Sequence, residues 1–108
     1  MVCERTIVID HAHPSLAGHF PGHPVVPGVV LLSEVLSIVR EVSGGAQPVT
    51  GLPMVKFSSP LKPGEVVTIH VDLDEATGAA FSCRVETRLV ASGTIELAPV
   101  QSSPTERM

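Results

Sequence analysis

The 108-residue sequence predicts a single α+β domain in which a curved antiparallel sheet wraps one buried helix. Three features of the chain predict it. Residues 27–42 carry apolar side chains around most of a helical circumference. Residues 65–74 alternate apolar and polar without a break. From there to residue 98 the chain doubles back twice through very short connections.

The elements follow in order. Arg5 to Asp10 reads R-T-I-V-I-D, a β-branched run that predicts a strand. Residues 11–27 hold Pro14, Pro21, Pro24 and Pro27 with Gly18 and Gly22, so the spacing predicts a loop with a fixed path. Four of the five histidines, His11, His13, His19 and His23, lie in that loop. A helix is predicted over 27–42, because proline is tolerated in a first turn and Ser43-Gly44-Gly45 stops the helix. At 3.6 residues per turn, Ser33, Glu34, Ser37, Arg40 and Glu41 fall in an arc of about 120°. Leucine, isoleucine and valine fill most of the remainder, which predicts burial on several sides. Leu52 to Ser58 predicts a short strand between prolines. In the strand over 65–74, Val67, Ile69, Val71 and Leu73 share one face, opposite Thr68, His70, Asp72 and Asp74. Strands over 79–86 and 89–98 complete a meander. Residues 1–98 are therefore read as one domain, and 99–108 as a polar, flexible tail.

Composition narrows the function. Seven Lys and Arg against eleven Asp and Glu give a formal charge of −4, which disfavours nucleic acid as a partner. With no Trp, no Tyr and three Phe, no base-stacking platform can form. The most apolar stretch, Val25 to Val39, is interrupted by Pro27, Gly28, Ser33 and Glu34 and is too short for a membrane span. The first five residues lack the layout of a signal peptide, and the two cysteines form neither a disulfide framework nor a metal spacing, so a reducing cytoplasm is expected. A mean hydropathy of +0.35 is high for a chain of this size and points to an apolar surface shared with a second copy.

The chemistry concentrates in Gly18-His19-Phe20-Pro21-Gly22-His23-Pro24-Val25-Val26-Pro27-Gly28-Val29. Its prolines and glycines hold His19 at a set distance from a helix start. The free N–H groups there can receive developing negative charge. Gly28 has no side chain to obstruct that approach. An imidazole beside an oxyanion site is a layout for moving a proton next to a carbonyl.

This stretch resembles the 3-hydroxyacyl-acyl carrier protein dehydratases of the hotdog fold, which carry H-F-P-G-x-P-x-x-P-G-V ahead of a helix with a catalytic carboxylate. Val55-Lys56-Phe57 with Pro60-Leu61-Lys62-Pro63-Gly64-Glu65 is similar to a second family motif, and Leu89 to Leu97 to its closing strand. The resemblance spans about residues 4–98. It implies a hydro-lyase that turns 3-hydroxyacyl thioesters into trans-2-enoyl thioesters without cofactor or metal. The chains would be carried on acyl carrier protein, in fatty-acid, unsaturated or aryl polyene lipid synthesis. By the same resemblance, His19 is the base, the Gly28 N–H polarises the thioester carbonyl, and a helix carboxylate helps expel the hydroxyl. Two subunits would join edge to edge, as a homodimer, a larger assembly of dimers, or a heterodimer with a related subunit. The family carboxylate lies fourteen positions after the histidine, where this chain has Ser33; Glu34 is next, rotated by about 100°. Either Glu34 supplies the acid or it is a solvated helix residue and the site is weakened.

Phe20, Pro21, Val29 and Val30 are the expected contacts of the acyl chain. Arg5, Lys56, Lys62, Arg84 and Arg88 could steer an acidic carrier protein, or serve only solubility. The spacings His11-x-His13 and His19-x₃-His23 also suit metal ligands, but no Cys or Asp cluster completes them. A hotdog thioesterase and a non-catalytic acyl-binding subunit stay open as alternatives.

Overall fold

The computed structural model describes residues 1–10, 25–45, 47–74 and 78–98. The elements are β1 (Val2–Val8), α1 (Gly28–Val42), β2 (Val49–Phe57), β3 (Val66–Asp74), β4 (Gly78–Val85) and β5 (Arg88–Leu97). The strands form one antiparallel sheet in the order β1-β3-β4-β5-β2. β3, β4 and β5 are the meander read from the sequence. β1 and β2, separated by the helix, become the two edges. Most of the expected histidine-bearing loop, residues 11–24, and the expected tail over 99–108 lie outside the described residues.

Alternation in β3 sets the core. Val67, Ile69 and Val71 are fully buried, and the stripe Leu31, Val35, Ile38 and Val39 of α1 packs into the same cluster. Each such side chain contributes about 1.5–3 kcal/mol when removed from water. The helix departs from expectation in one respect. Only one flank is enclosed; Val29, Ser33, Ser37 and Arg40 remain exposed. Five strands are enough to cover one side of the helix, and among the described residues no element lies over the flank turned from the sheet.

Both edge strands start earlier than the sequence suggests. β1 begins at Val2 rather than Arg5, because β3 offers partners as far as Asp72; the Leu73 N–H also donates to the Met1 carbonyl at 2.7 Å. β2 begins at Val49 rather than Leu52, and its register shifts between Val49 and Met54 absorb Pro53 at an edge, where a missing N–H is tolerated.

One irregularity positions the site. Cys83 pairs with Ala91 and Arg84 with Leu89, so Val90 is an extra residue in β5, a bulge. Val90 and Ala91 are consequently both buried. The Val90 carbonyl accepts from the Ser58 and Ser59 N–H groups, at 2.8 and 3.3 Å, and pins the chain leaving β2.

Candidate active site

A pocket of about 510 Å³ opens where α1 begins. Its walls are Val25, Val26, Gly28, Val29 and Leu31 on the helix side, and Phe57 to Leu61 with Val90 on the sheet side. The lining is mostly apolar, with Ser58 and Ser59 as its polar side chains, as suits an acyl chain. The two sides are tied together by the Val26 N–H, which donates to the Leu61 carbonyl at 2.8 Å.

The start of α1 is electrostatically open. Pro27 caps it without a side-chain hydrogen bond, and the first turn holds no acidic residue. The first N–H groups of a helix have no acceptor within it, and the helix dipole adds partial positive charge there. Gly28 carries the first of these donors and lines the pocket.

The glycine has a steric reason beyond ligand access. A β-carbon at Gly28 would lie 2.7 Å from Phe57 Cζ and 2.8 Å from Cε1. The Phe57 ring edge occupies the space that any side chain there would need.

The segment from Ser58 to Glu65 forms the remaining wall, and Arg88 braces it. One guanidinium nitrogen donates to Ser59 Oγ at 2.9 Å and to the Pro60 carbonyl at 2.7 Å. The other meets Glu65 Oε2 at 2.6 Å. Glu65 Oε1 accepts the Lys62 N–H at 2.8 Å. That backbone bond first, and Arg88 second, hold the Glu65 carboxyl below the usual carboxylate range.

Of the residues singled out in the sequence, Gly28 and Val29 line the pocket. Val30 is half-buried beside the core and is not part of the lining. Ser33 is exposed one turn beyond Val29, and Glu34 is half-buried on the helix flank; neither lines the pocket of the single chain. His19, Phe20 and Pro21, with His11, His13 and His23, lie outside the described residues. Among the described residues no group of three His, Cys, Asp or Glu is placed to hold a metal. His70 is half-exposed on the outer sheet face, its Nδ1 3.1 Å from Glu4 Oε2. Two of the five cations considered for carrier docking are engaged within the chain: Arg88 as above, and Arg5, which meets Glu41 Oε1 at 2.6 Å. Lys56, Lys62 and Arg84 are exposed.

Sequence reasoning missed Phe57, Ser58, Ser59, Leu61 and Val90 as pocket walls. The K-F-S-S-P-L-K-P-G-E run was visible, but its place against the helix start is set by long-range bonds, from Ser58 and Ser59 to Val90 and from Val26 to Leu61.

Comparison with known proteins agrees with this fold. The family model described as ApeI-like, ApeI dehydratase, matches residues 2–94. A 3-hydroxyacyl-[acyl-carrier-protein] dehydratase FabZ from Chlamydia trachomatis serovar L2 is 30% identical, over 94% of this chain and 73% of its own length. The dehydratase heterocomplex ApeI:P from Xenorhabdus doucetiae superposes with a TM-score of 0.82 at 24% identity, covering 90% of this chain and 87% of that one. The fluoroacetyl-CoA-specific thioesterase FlK shares the fold at a TM-score of 0.67 and 17% identity, covering 91% of this chain and 90% of that one.

Proposed function

The chain belongs to the ApeI-like dehydratase family, and on that premise we propose that it removes water from 3-hydroxyacyl thioesters on acyl carrier protein to give trans-2-enoyl thioesters. The observation that carries the reading is the apolar pocket opening onto the uncapped first turn of α1. The acyl chain lies in the pocket, and the thioester carbonyl accepts from the Gly28 N–H. That hydrogen bond strengthens as the carbonyl oxygen gains charge. His19 takes a proton from C2; the electron pair forms the C2–C3 double bond, the C3–O bond breaks, and the hydroxyl leaves as water after gaining a proton. No redox partner is needed, since the substrate is neither oxidised nor reduced in sum.

Glu34 is assigned the acid that protonates the leaving hydroxyl, with Ser33 beside it. In the single chain neither reaches the pocket, so the acid comes from a second subunit lying along β2. This is supported by the edge of β2, unpaired among the described residues, by the exposed Val49, Leu52, Met54 and Phe57 along it, and by the exposed flank of α1 that bears Ser33. Phe20 and Pro21 are assigned to the acyl contacts with Val29, which lines the pocket; Val30, packed beside the core, is not. Lys62, exposed on the loop whose Pro60 and Leu61 line the pocket, is assigned to meet an acidic carrier protein. No helix among the described residues is long and apolar enough to cross a membrane. Both cysteines are free thiols, which fits the cytoplasm.

Intact-mass measurement of a 3-hydroxyacyl carrier protein tests the reaction: the wild type removes the mass of one water, and His19→Ala abolishes the change. Release of free thiol instead would indicate a hydrolase on the same fold. The hydroxyl at Ser33 favours a second reading, an acyl-binding subunit that acts beside a related dehydratase subunit. Turnover by the purified chain alone excludes it. If turnover survives in Glu34→Gln, Glu34 is not the acid.

A further inference from the structure

We infer that Phe57 is a specificity-determining residue that restricts the site to thioesters unbranched at C2, the carbon next to the carbonyl. The inference takes from the proposed function only the position of the carbonyl at the Gly28 amide. Phe57 closes β2, its Cα paired with that of Ala91. Its side chain crosses to the helix start, where Cζ, Cε1 and Cε2 lie 2.7, 2.8 and 3.1 Å from the point a Gly28 β-carbon would occupy. The ring is nonetheless 53% exposed. Its edge is packed on Gly28 while the rest of it stands in the mouth of the pocket, alongside Val29 at 72% exposure.

A carbonyl oxygen held by the Gly28 N–H sits about 2.9 Å from that nitrogen. The C2 carbon of the same acyl group, one bond beyond the carbonyl carbon, then comes beside the ring edge. Two hydrogens on C2 fit a wall so close to the glycine. A methyl group on C2 needs the space the ring already fills. The wall cannot retreat as a backbone shift, because the two residues after Phe57 are both bonded to the Val90 carbonyl. The wall behind them is held by Arg88 through Ser59 and Pro60. Close-packed walls of this kind discriminate one carbon by roughly 10-fold or more.

The test uses the full chain and two saturated thioesters of pantetheine, butyryl and 2-methylbutyryl, which lack the 3-hydroxyl and cannot react. Calorimetry gives the affinity ratio, unbranched over branched, for the wild type, Phe57→Ala and Phe57→Leu. The expected ratio is about 10 or more in the wild type and falls toward one in Phe57→Ala. Phe57→Leu shortens the ring edge with less loss of packing, gives an intermediate ratio, and decides the matter if the alanine variant does not fold. Equal wild-type affinities, no binding of either ligand, or a ratio unchanged in the variants would overturn the inference. Turnover of 3-hydroxybutyryl and 2-methyl-3-hydroxybutyryl thioesters separates the two readings. Wild-type turnover of both at equal rates removes the Phe57 wall and leaves the dehydratase. Discrimination in binding with no water lost from either removes the dehydratase and leaves the wall.

Discussion

Cys83 sits on the core side of β4, fully buried among aliphatic residues, and burial pushes its thiol up to about 12. A thiolate is the reacting species, so this sulfur is inert in the folded protein. Cys3, near the start of the edge strand β1, is only half-buried, with Arg5 donating to its sulfur at 2.7 Å. A colorimetric thiol reagent at pH 8 should therefore titrate one cysteine quickly in the native protein and the second only after denaturant is added. Two fast thiols in the native state would mean that β4 opens readily. The sequence made one cysteine strand-packed and the other near a frayed end, because alternation along residues 79–86 is local information. The contact between Gly28 and Phe57 was not legible in the same way. Both residues stand in recognisable motifs, but 29 positions separate them, and nothing in either motif states that the ring fills the missing side chain of the glycine.

The loop between β2 and β3 behaves as an element of its own, held by charge at its two ends. Arg88 of β5 and Glu65 bracket it, and the Glu65 carboxylate also accepts the Lys62 N–H. Replacing Arg88 by Met removes three hydrogen bonds and should cost about 1–3 kcal/mol, lowering Tm by several degrees and raising amide exchange at Ser58 and Ser59. An Arg88→Met protein with wild-type Tm and exchange would show the brace to be ornamental. The pH dependence has a definite sign. Glu65 titrates lower in the folded chain than in the unfolded one, so its ionised form stabilises the fold at neutral pH, and this contribution disappears as the pH falls through its folded-state pKa. The Tm gap between wild type and Glu65→Gln should be widest near pH 7 and close under acid. The sequence shows P-L-K-P-G-E as a turn, since proline and glycine announce one. It reads Arg88 as a free surface charge, because the pairing of β5 with the far end of that loop depends on a one-residue bulge that no composition signals.

At the scale of the molecule, the described residues leave two surfaces unfinished, and these meet where Phe57 packs on Gly28. β2 is an edge strand of nine residues with no neighbour among the described residues on its outer side. Such edges are usually short, charged or covered, since unpaired N–H and C=O groups invite another strand. Here the edge carries exposed Val49, Leu52, Met54 and Phe57, with Lys56 as its one charge. The start of α1 meets the end of this strand where Phe57 packs on Gly28, and the helix flank from Val29 through Ser33 to Ser37 is exposed. The helix is apolar enough to have suggested burial on several sides, and among the described residues only the sheet side is enclosed. A second copy placed antiparallel along β2 would satisfy the strand edge, cover the apolar residues and bring a helix flank toward the mouth of the neighbouring pocket. Light scattering should accordingly give twice the 11.3 kDa chain mass, and Leu52→Asp combined with Met54→Lys should give a monomer that keeps its far-ultraviolet circular dichroism but loses turnover. A wild-type monomer with full activity would place the whole site within one chain, which the exposed Ser33 and half-buried Glu34 could then serve only if α1 rotated. Activity that appears solely on mixing with a related subunit would instead assign the second half of the site to a different partner along the same edge.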